Sequence, residues 1–421
     1  MNKNYDVIVV GAGPAGLMSA ISAGEQGARV ALLEKNKKPG RKLLMTGGGR
    51  CNVTNNRPVA DLITHIPGNG RFLYSTFAQW DNQDIMAFFA TQKIPLKEED
   101  HGRMFPVTDR SKTILQGLIT AAEKAGVTFL LQTAATKLIT DGEGRISGVR
   151  TDQGDFQAPA VILTTGGITY PGTGSTGDGY KFAKALGHTV TPLFATEAPL
   201  VSEESFIKSG ALQGLALQEA ALSVIGKNGK PIVTHKMDLL FTHFGLSGPA
   251  ALRCAYFVNK LLRERPDQPV TLVLDSQPDA TAQDVATHIK RMLASKKTVK
   301  NALNGLLPER LLQLYLDTLQ IADLPAVQMT EMQVQQLAAL IKQFPIRVTR
   351  TIGLEKAFVT AGGVNLKEVS PKTLESKLCP GLFFAGEVLD INGYTGGFNI
   401  TSALCTGHVA GQHAAQTVGY W

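Results

Sequence analysis

The chain has 421 residues, 43% hydrophobic and 18% charged, which is too long for one ordinary core and too apolar for a disordered chain. Its formal charge of +7 suits an anionic cofactor, an anionic substrate or nucleic acid. No window reaches the roughly 18 uninterrupted apolar residues of a membrane span. The apolar run at the N-terminus is too short for a signal-peptide core, so a cytoplasmic protein without membrane contact is expected. Cys51, Cys254, Cys379 and Cys405 are scattered and form no CxxC pair, which argues against a disulfide framework or a zinc site.

In chain order, "DVIVV" reads as a buried strand, Ala15 to Gln26 as a helix, and "RVALLEK" as a second strand ending at Glu34. This is a right-handed βαβ unit. Gly11, Gly13 and Gly16 make G-x-G-x-x-G between strand and helix, with Pro14 and Ala15 inside the same turn. The first glycine permits the turn, the second admits a pyrophosphate, and the third lets helix and strand pack closely. The helix N-terminus offers free N–H groups to phosphate, and Glu34 would accept hydrogen bonds from ribose hydroxyls. NAD and FAD are both compatible with that pattern, and NADP less so.

"MTGGGRCNVTN" follows at residues 45–55. It is either a plain glycine turn or bare backbone laid against a ligand, with Lys42 and Arg50 balancing anionic charge and Asn52 and Asn55 hydrogen-bonding or pinning the loop. The chain then reads as mostly helical to about residue 126. "VTFLLQ" continues the parallel sheet, and "RISGVRT" and "GDFQAPAVILTTGG" form a hairpin turned near Asp152–Gly154. A second G-x-G-x-x-G, Gly172 to Gly177, lacks a strand immediately before it and a terminal acid after it. It reads as a loop capping a helix from about Asp178, so any nicotinamide donor would dock transiently.

From Pro192 the pattern alternates around a "KNGK" turn, as antiparallel β does. Residues 281–344 read as helical. Within them the basic run "HIKRMLASKKTVKN" at 288–301 is either a solvated helix face or a phosphate-binding surface for RNA. The economical division is an α/β domain from residues 1–190 plus 352–421, an inserted β domain at 191–280 and a helical subdomain at 281–351.

The C-terminal "GLFFAGEVLDINGYTGGFNITSALCTGHVAG" puts a strand before Gly386–Glu387 and a helix from about Asn399. That helix N-terminus can hold negative charge at the pyrimidine end of a flavin. FAD is long enough to need both chain ends, whereas NAD at the first fingerprint is not. Together "GRKLLMTGGGRCNVTN", "GRMFPVTDRS", "TTGGITYPGTGSTGDGY", "LLFTHFGLSGPAAL" and "GEVLDINGYTGGFNITSAL" make the chain resemble the bacterial BaiN-like (YhiN-type) FAD-dependent oxidoreductases. The resemblance implies a Rossmann-type FAD domain with an inserted, barrel-like antiparallel β domain and a small helical domain. It also implies non-covalent FAD. The matching positions imply cofactor contacts from Gly11, Gly13, Pro14, Ala15, Gly16, Glu34, Lys35, Arg41, Lys42, Gly48, Gly49, Arg50, Cys51 and Asn52. Ala135, Thr165, Gly166, Gly167, Gly386, Glu387, Asp390, Gly396, Gly397, Phe398, Asn399 and Ile400 complete that set.

A flavin supplies hydride chemistry, and the protein must supply a proton and exclude water. Cys51, His243 and Tyr394 are the expected catalytic groups, with Tyr170 a further proton donor. Arg50 beside Cys51 would lower its pKa; the alternative for Cys51 is a buried filler, and for His243 a structural histidine. The expected function is reduction of an electron-poor C=C bond, with NAD(P)H as donor. Family members are linked to bile-acid enones and to a ribosomal RNA uridine, whose reduction gives dihydrouridine. The alternative is a non-catalytic flavoprotein; the expected oligomeric state is a monomer or weak dimer.

Overall fold

A computed structural model describes residues 3–419. The chain divides into two units: one from both chain ends, through Phe194 and again from Leu354, and one spanning Ala195–Gly353.

The first unit is built on a five-stranded parallel sheet. Its order is Leu382–Phe384, Ala160–Leu163, Val7–Val10, Val30–Glu34 and Thr128–Leu131. The central strands are fully buried, so they read as unbroken runs of β-branched and aliphatic residues rather than as alternating ones. The helix Pro14–Glu25 crosses the C-terminal helix Phe398–Val418 at close range. A Cβ on Gly407 would sit 2.4 Å from the Ala15 carbonyl oxygen, and one on Gly411 would sit 2.2 Å from that of Ser19. The two backbones therefore touch directly.

Two smaller sheets modify the sequence reading. "GDFQAPAVILTTGG" is two strands, not one. Gly154–Gln157 pairs with Ile146–Thr151 around the expected turn, and Ala160–Leu163 joins the parallel sheet. Pro159, with no N–H to give a ladder, separates them. Ala135–Thr140 adds a third strand to that hairpin. The region read as mostly helical contains a three-stranded antiparallel sheet of Thr54–Asn55, Arg103–Pro106 and Leu96–Glu99. These strands are two to four residues long and one carries "LKEE", so no apolar alternation marks them.

The second unit is a closed antiparallel barrel. Its order is Leu200–Ser202, Gly245–Ser247, Pro231–Phe241, Ala216–Ile225, Val270–Asp275 and Phe344–Thr351, which returns to the first strand. Alternate residues point inward, as with Met237, Leu239 and Phe241, or Phe344, Ile346 and Val348. The helix Gly248–Glu264 packs on the long hairpin through Ala250, Ala251, Cys254 and Val258. The helices Ala282–Leu293, Val299–Ala302, Glu309–Leu319 and Glu331–Lys342 lie between the last two barrel strands in sequence. Phe344–Thr351 is thus a barrel stave and not part of a helical subdomain. Among the described residues no helix is long and apolar enough to cross a membrane.

Gly411→Val should strain the helix crossing and lower unfolding free energy by about 1–3 kcal/mol, measured by urea titration. His408, stacked on Trp80 at 4.6 Å, has its pKa pushed down by burial to about 4. Its depressed value makes its contribution whole above the unfolded value near 6.5 and lost as pH falls toward 4, a difference of roughly 3 kcal/mol. His408→Gln should flatten the pH dependence of the melting temperature across that window.

Candidate functional site

The fingerprint turn is where sequence dictates geometry most tightly. Gly11 has φ of 107° and donates to the Leu33 carbonyl at 2.8 Å. A Cβ on Gly16 would lie 1.8 Å from the Gly11 oxygen, so helix and turn close only with glycine there. A Cβ on Gly13 would meet nothing within 4 Å, which leaves that side open for a ligand's approach. Pro14 opens the helix, and no side chain caps its N-terminus. Glu34 is buried beside the turn: it accepts from the Ala12 N–H at 3.0 Å and the Asn36 N–H at 2.8 Å. Thr133 donates its N–H to the Glu34 carbonyl at 3.0 Å, which brings the following Ala135 strand to the same side.

Gly47, Gly48 and Gly49 all have positive φ, 57°, 66° and 88°, which is why three glycines stand in a row. A Cβ on Gly48 or Gly49 would meet nothing within 4 Å. At the other end of the chain, Gly397 caps the C-terminal helix with φ of 97°. A Cβ on Gly397 would sit 2.5 Å from the Thr54 oxygen and 3.0 Å from Asn52 Oδ1. Asn55 Nδ2 donates to the Gly396 carbonyl at 2.9 Å, and the Thr54 and Thr401 hydroxyls lie 2.8 Å apart. The glycine loop is therefore stitched to the N-terminus of the last helix. A Cβ on Gly386 would meet the Ala15 methyl at 2.8 Å, so the fingerprint helix adjoins the same C-terminal segment.

The predicted site residues divide by what they hold. Lys42 Nζ pairs with Glu387 at 2.8 Å and donates to the Thr169 hydroxyl at 2.8 Å. Glu387 also accepts the Thr360 N–H at 2.8 Å and lies beside Gly166 and Gly167. Lys35 pairs with Asp178 at 2.6 Å, and Arg41 donates to Asn36 Oδ1 at 2.9 Å. Arg50 pairs with Glu99 and, at 2.8 Å, with Asp109. Lys42 and Arg50, expected to balance a ligand's charge, are thus matched by the protein's own carboxylates. Asn399 holds its own loop, accepting from the Gly393 N–H and donating to the Gly393 oxygen, both at 2.8 Å. Asp390 accepts from the Thr191 hydroxyl at 3.0 Å, and burial raises its pKa. Phe398 is buried and stacks on His65 at 4.7 Å; Ile400 lies two residues into the helix that Phe398 begins.

The expected activation of Cys51 by Arg50 does not occur. The thiol is fully buried, and burial pushes its pKa up to about 12 against a weaker opposing hydrogen bond from Thr46. Tyr394 is buried, its ring edge-on to His65 at 6.2 Å. Tyr170 sits in a left-handed conformation, φ 53°, against Phe358. His243 lies on an exposed loop of the barrel unit, edge-on to Phe244. The second glycine motif forms a short turn and the cap of the helix Asp178–Ala185, as read from the sequence. Asp178, Thr169 and Thr360 were not legible as site residues. Their partners are 143, 127 and 27 residues distant, and no local pattern marks them.

These residues fit FAD. Asn52 Oδ1, beside Gly397 at the N-terminus of the last helix, is a buried polar atom without a hydrogen-bond partner in the protein. In the same unit a Cβ at Gly13, Gly48 or Gly49 would meet nothing within 4 Å, so backbone is open to a ligand there.

Residues 5–413 match the model of the HI0933-like protein Rossmann domain. The ribosomal RNA dihydrouridine synthase of Escherichia coli K12 is 32% identical over 94% of this chain and 94% of its own length. The 3-dehydro-bile acid delta(4,6)-reductase of Clostridium scindens is 29% identical over 97% of this chain and 98% of its own. Among solved structures, the 3-ketosteroid-delta4-(5alpha)-dehydrogenase of Rhodococcus jostii RHA1 superposes with a TM-score of 0.55 at 16% identity, covering 98% and 97% of the two chains, a likeness of fold. With the fingerprint, the glycine loop and the C-terminal helix brought to one place and a family model matched from residue 5 to residue 413, the chain belongs to the HI0933-like Rossmann family and is an FAD-dependent oxidoreductase.

Proposed function

We propose that this enzyme reduces an electron-poor C=C bond, and that its substrate is a uridine in ribosomal RNA, converted to dihydrouridine. The observation that carries the reading is the stitching of the glycine loop to the N-terminus of the last helix through Asn55, Thr54 and Gly397. It sets unblocked backbone beside a positive helix end in one rigid place. When bound there, FAD supplies the hydride, and NAD(P)H is proposed as the source of the electrons.

The chain's own residues have three tasks. Glu34 and the N–H groups of Gly13, Ala15 and Gly16 would hold the adenosine and diphosphate end. Gly48, Gly49 and the backbone at Arg50–Asn52 would hold the ring end, and Gly166, Gly167 and Glu387 the ribityl chain. A proton must then reach the carbon next to the substrate carbonyl. With the Cys51 thiol buried and pushed up to about 12, the His243 imidazole and the Tyr394 phenol are the groups proposed to hold it. No second dinucleotide-binding unit is formed by Gly172–Gly177, which supports transient docking of NAD(P)H.

The substrate choice rests on two supports. The relative from Escherichia coli named a ribosomal RNA dihydrouridine synthase matches nearly end to end. The helix Ala282–Leu293 buries Val285, Ala286, Ile289 and Leu293 and exposes Lys290 and Arg291; Lys296, Lys297 and Lys300 follow, also exposed. Lys290 is paired with Glu331 at 2.7 Å, so the remaining cations carry the proposed RNA contact. A cytoplasmic location belongs to the same reading. A small-molecule enone presents the same C=C–C=O unit and is the second reading, favoured by the bile-acid reductase relative.

RNA mass spectrometry on a deletion strain should show a missing ribosomal dihydrouridine, restored by the wild-type gene and much less by His243→Asn; an unchanged profile moves the small-molecule enone to the front. Affinity for ribosomal RNA fragments should fall steeply with salt, and the K296E/K297E pair should weaken it and reduce the salt slope by about two. Binding indifferent to salt would remove the RNA contact at this segment.

A further inference from the structure

The stretch "GRMFPVTDRS", residues 102–111, lies outside every cofactor contact proposed above, yet it clasps the glycine loop along its length. The Val53 N–H donates to the Met104 oxygen at 2.9 Å, and the Asn56 N–H to the Gly102 oxygen at 2.7 Å. The Ser111 hydroxyl donates to the Leu44 oxygen at 2.9 Å. Phe105, 2% exposed, fills the middle: a Cβ on Gly47 would meet its ring at 3.2 Å, and the Arg50 guanidinium lies 4.1 Å from its centroid. Over that ring Arg50 is held from two sides. Its Nε donates to Asp109 Oδ1 at 2.8 Å, and its Nη2 pairs with Glu99. Lys97 completes the lattice, 2.5 Å from Asp109 and 3.5 Å from Glu99.

Two backbone positions show that this arrangement is imposed. Cys51, next to Arg50, has φ of 61°, and Asp109 has φ of 51°, the left-handed region that non-glycine residues enter at a cost. The Asp109 carboxylate is presented to Arg50 from that conformation. A guanidinium stacked on one face and forked to two carboxylates has few donors left for an incoming anion.

We infer that Phe105, Glu99 and Asp109 are positioning residues that act through Arg50 to fix the Gly47–Gly49 backbone for the cofactor, and that Arg50 is an anchor of the loop, not a counter-charge for the ligand. This rests on the FAD reading. The two roles for Arg50 give opposite signs. If Arg50 is an anchor, cutting its carboxylate partner loosens the loop and weakens FAD. If it is a counter-charge, the same cut frees the cation and tightens FAD.

The test uses full-length protein stripped of flavin and reconstituted with FAD, the dissociation constant read from flavin fluorescence and the ring environment from visible circular dichroism. Asp109→Asn and Phe105→Leu should each raise the dissociation constant about tenfold, equal to 1.4 kcal/mol, and alter the visible dichroism band. Phe105→Tyr, which keeps the ring face, should stay within about twofold. Glu99→Gln serves as a second carboxylate variant, and far-ultraviolet dichroism of each apoprotein checks folding. Unchanged or tighter FAD binding in both Asp109→Asn and Glu99→Gln would overturn the inference. A wild-type protein that takes up no FAD would instead overturn the cofactor reading itself.

Discussion

The first unit depends on two backbones being allowed to touch. Where the C-terminal helix crosses the fingerprint helix, Gly407 faces the Ala15 carbonyl and Gly411 faces that of Ser19, with no side chain between. Any Cβ there would push apart two elements separated by almost the whole chain. That contact places Gly386 against Ala15 and the cap at Gly397 against Thr54. The helix crossing fixes the distance between the fingerprint turn and the N-terminus of the last helix, the two helix ends that carry partial positive charge.

Around this frame, the site is organised by saturated polar contacts rather than by free charge. Lys42, Lys35 and Arg50 each meet a carboxylate of the same unit. Arg41, which donates to the neutral Asn36 amide, and the oriented backbone N–H groups and helix termini are what remain to meet a ligand's negative charge. Such donors need no reorganisation when charge arrives. Asn52 Oδ1, buried and unpartnered beside Gly397, is an exception.

The sequence carried the first βαβ unit, the "KNGK" hairpin and the start of the last helix because each is specified locally, by an apolar run, a turn dipeptide or a glycine cap. It carried the family through five separated stretches. It did not carry the short sheet at residues 54–106, whose strands are held by the loop they clasp and not by alternation. Nor did it show that Phe344–Thr351 closes the barrel, since its partners Leu200–Ser202 and Val270–Asp275 lie far upstream. The expected activation of Cys51 failed for a related reason. Adjacency of Arg50 and Cys51 in sequence says nothing about direction, and the left-handed turn at Cys51 buries the thiol while Arg50 reaches Glu99 and Asp109. Asp178 and Thr169 escaped notice because nothing near them in sequence announces Lys35 or Lys42.

The barrel unit enters and leaves through neighbouring strands: Leu200 pairs with Thr351, and the Ile352 N–H donates to the Pro199 oxygen at 2.9 Å. A segment whose ends already meet imposes little distortion on the chain that hosts it. On the ribosome this fixes an order of events. The barrel has all its staves once residue 351 has emerged, whereas the parallel sheet still awaits Leu382–Phe384. The nascent polypeptide can therefore carry a closed barrel while the parallel sheet of the unit that hosts it is still one strand short.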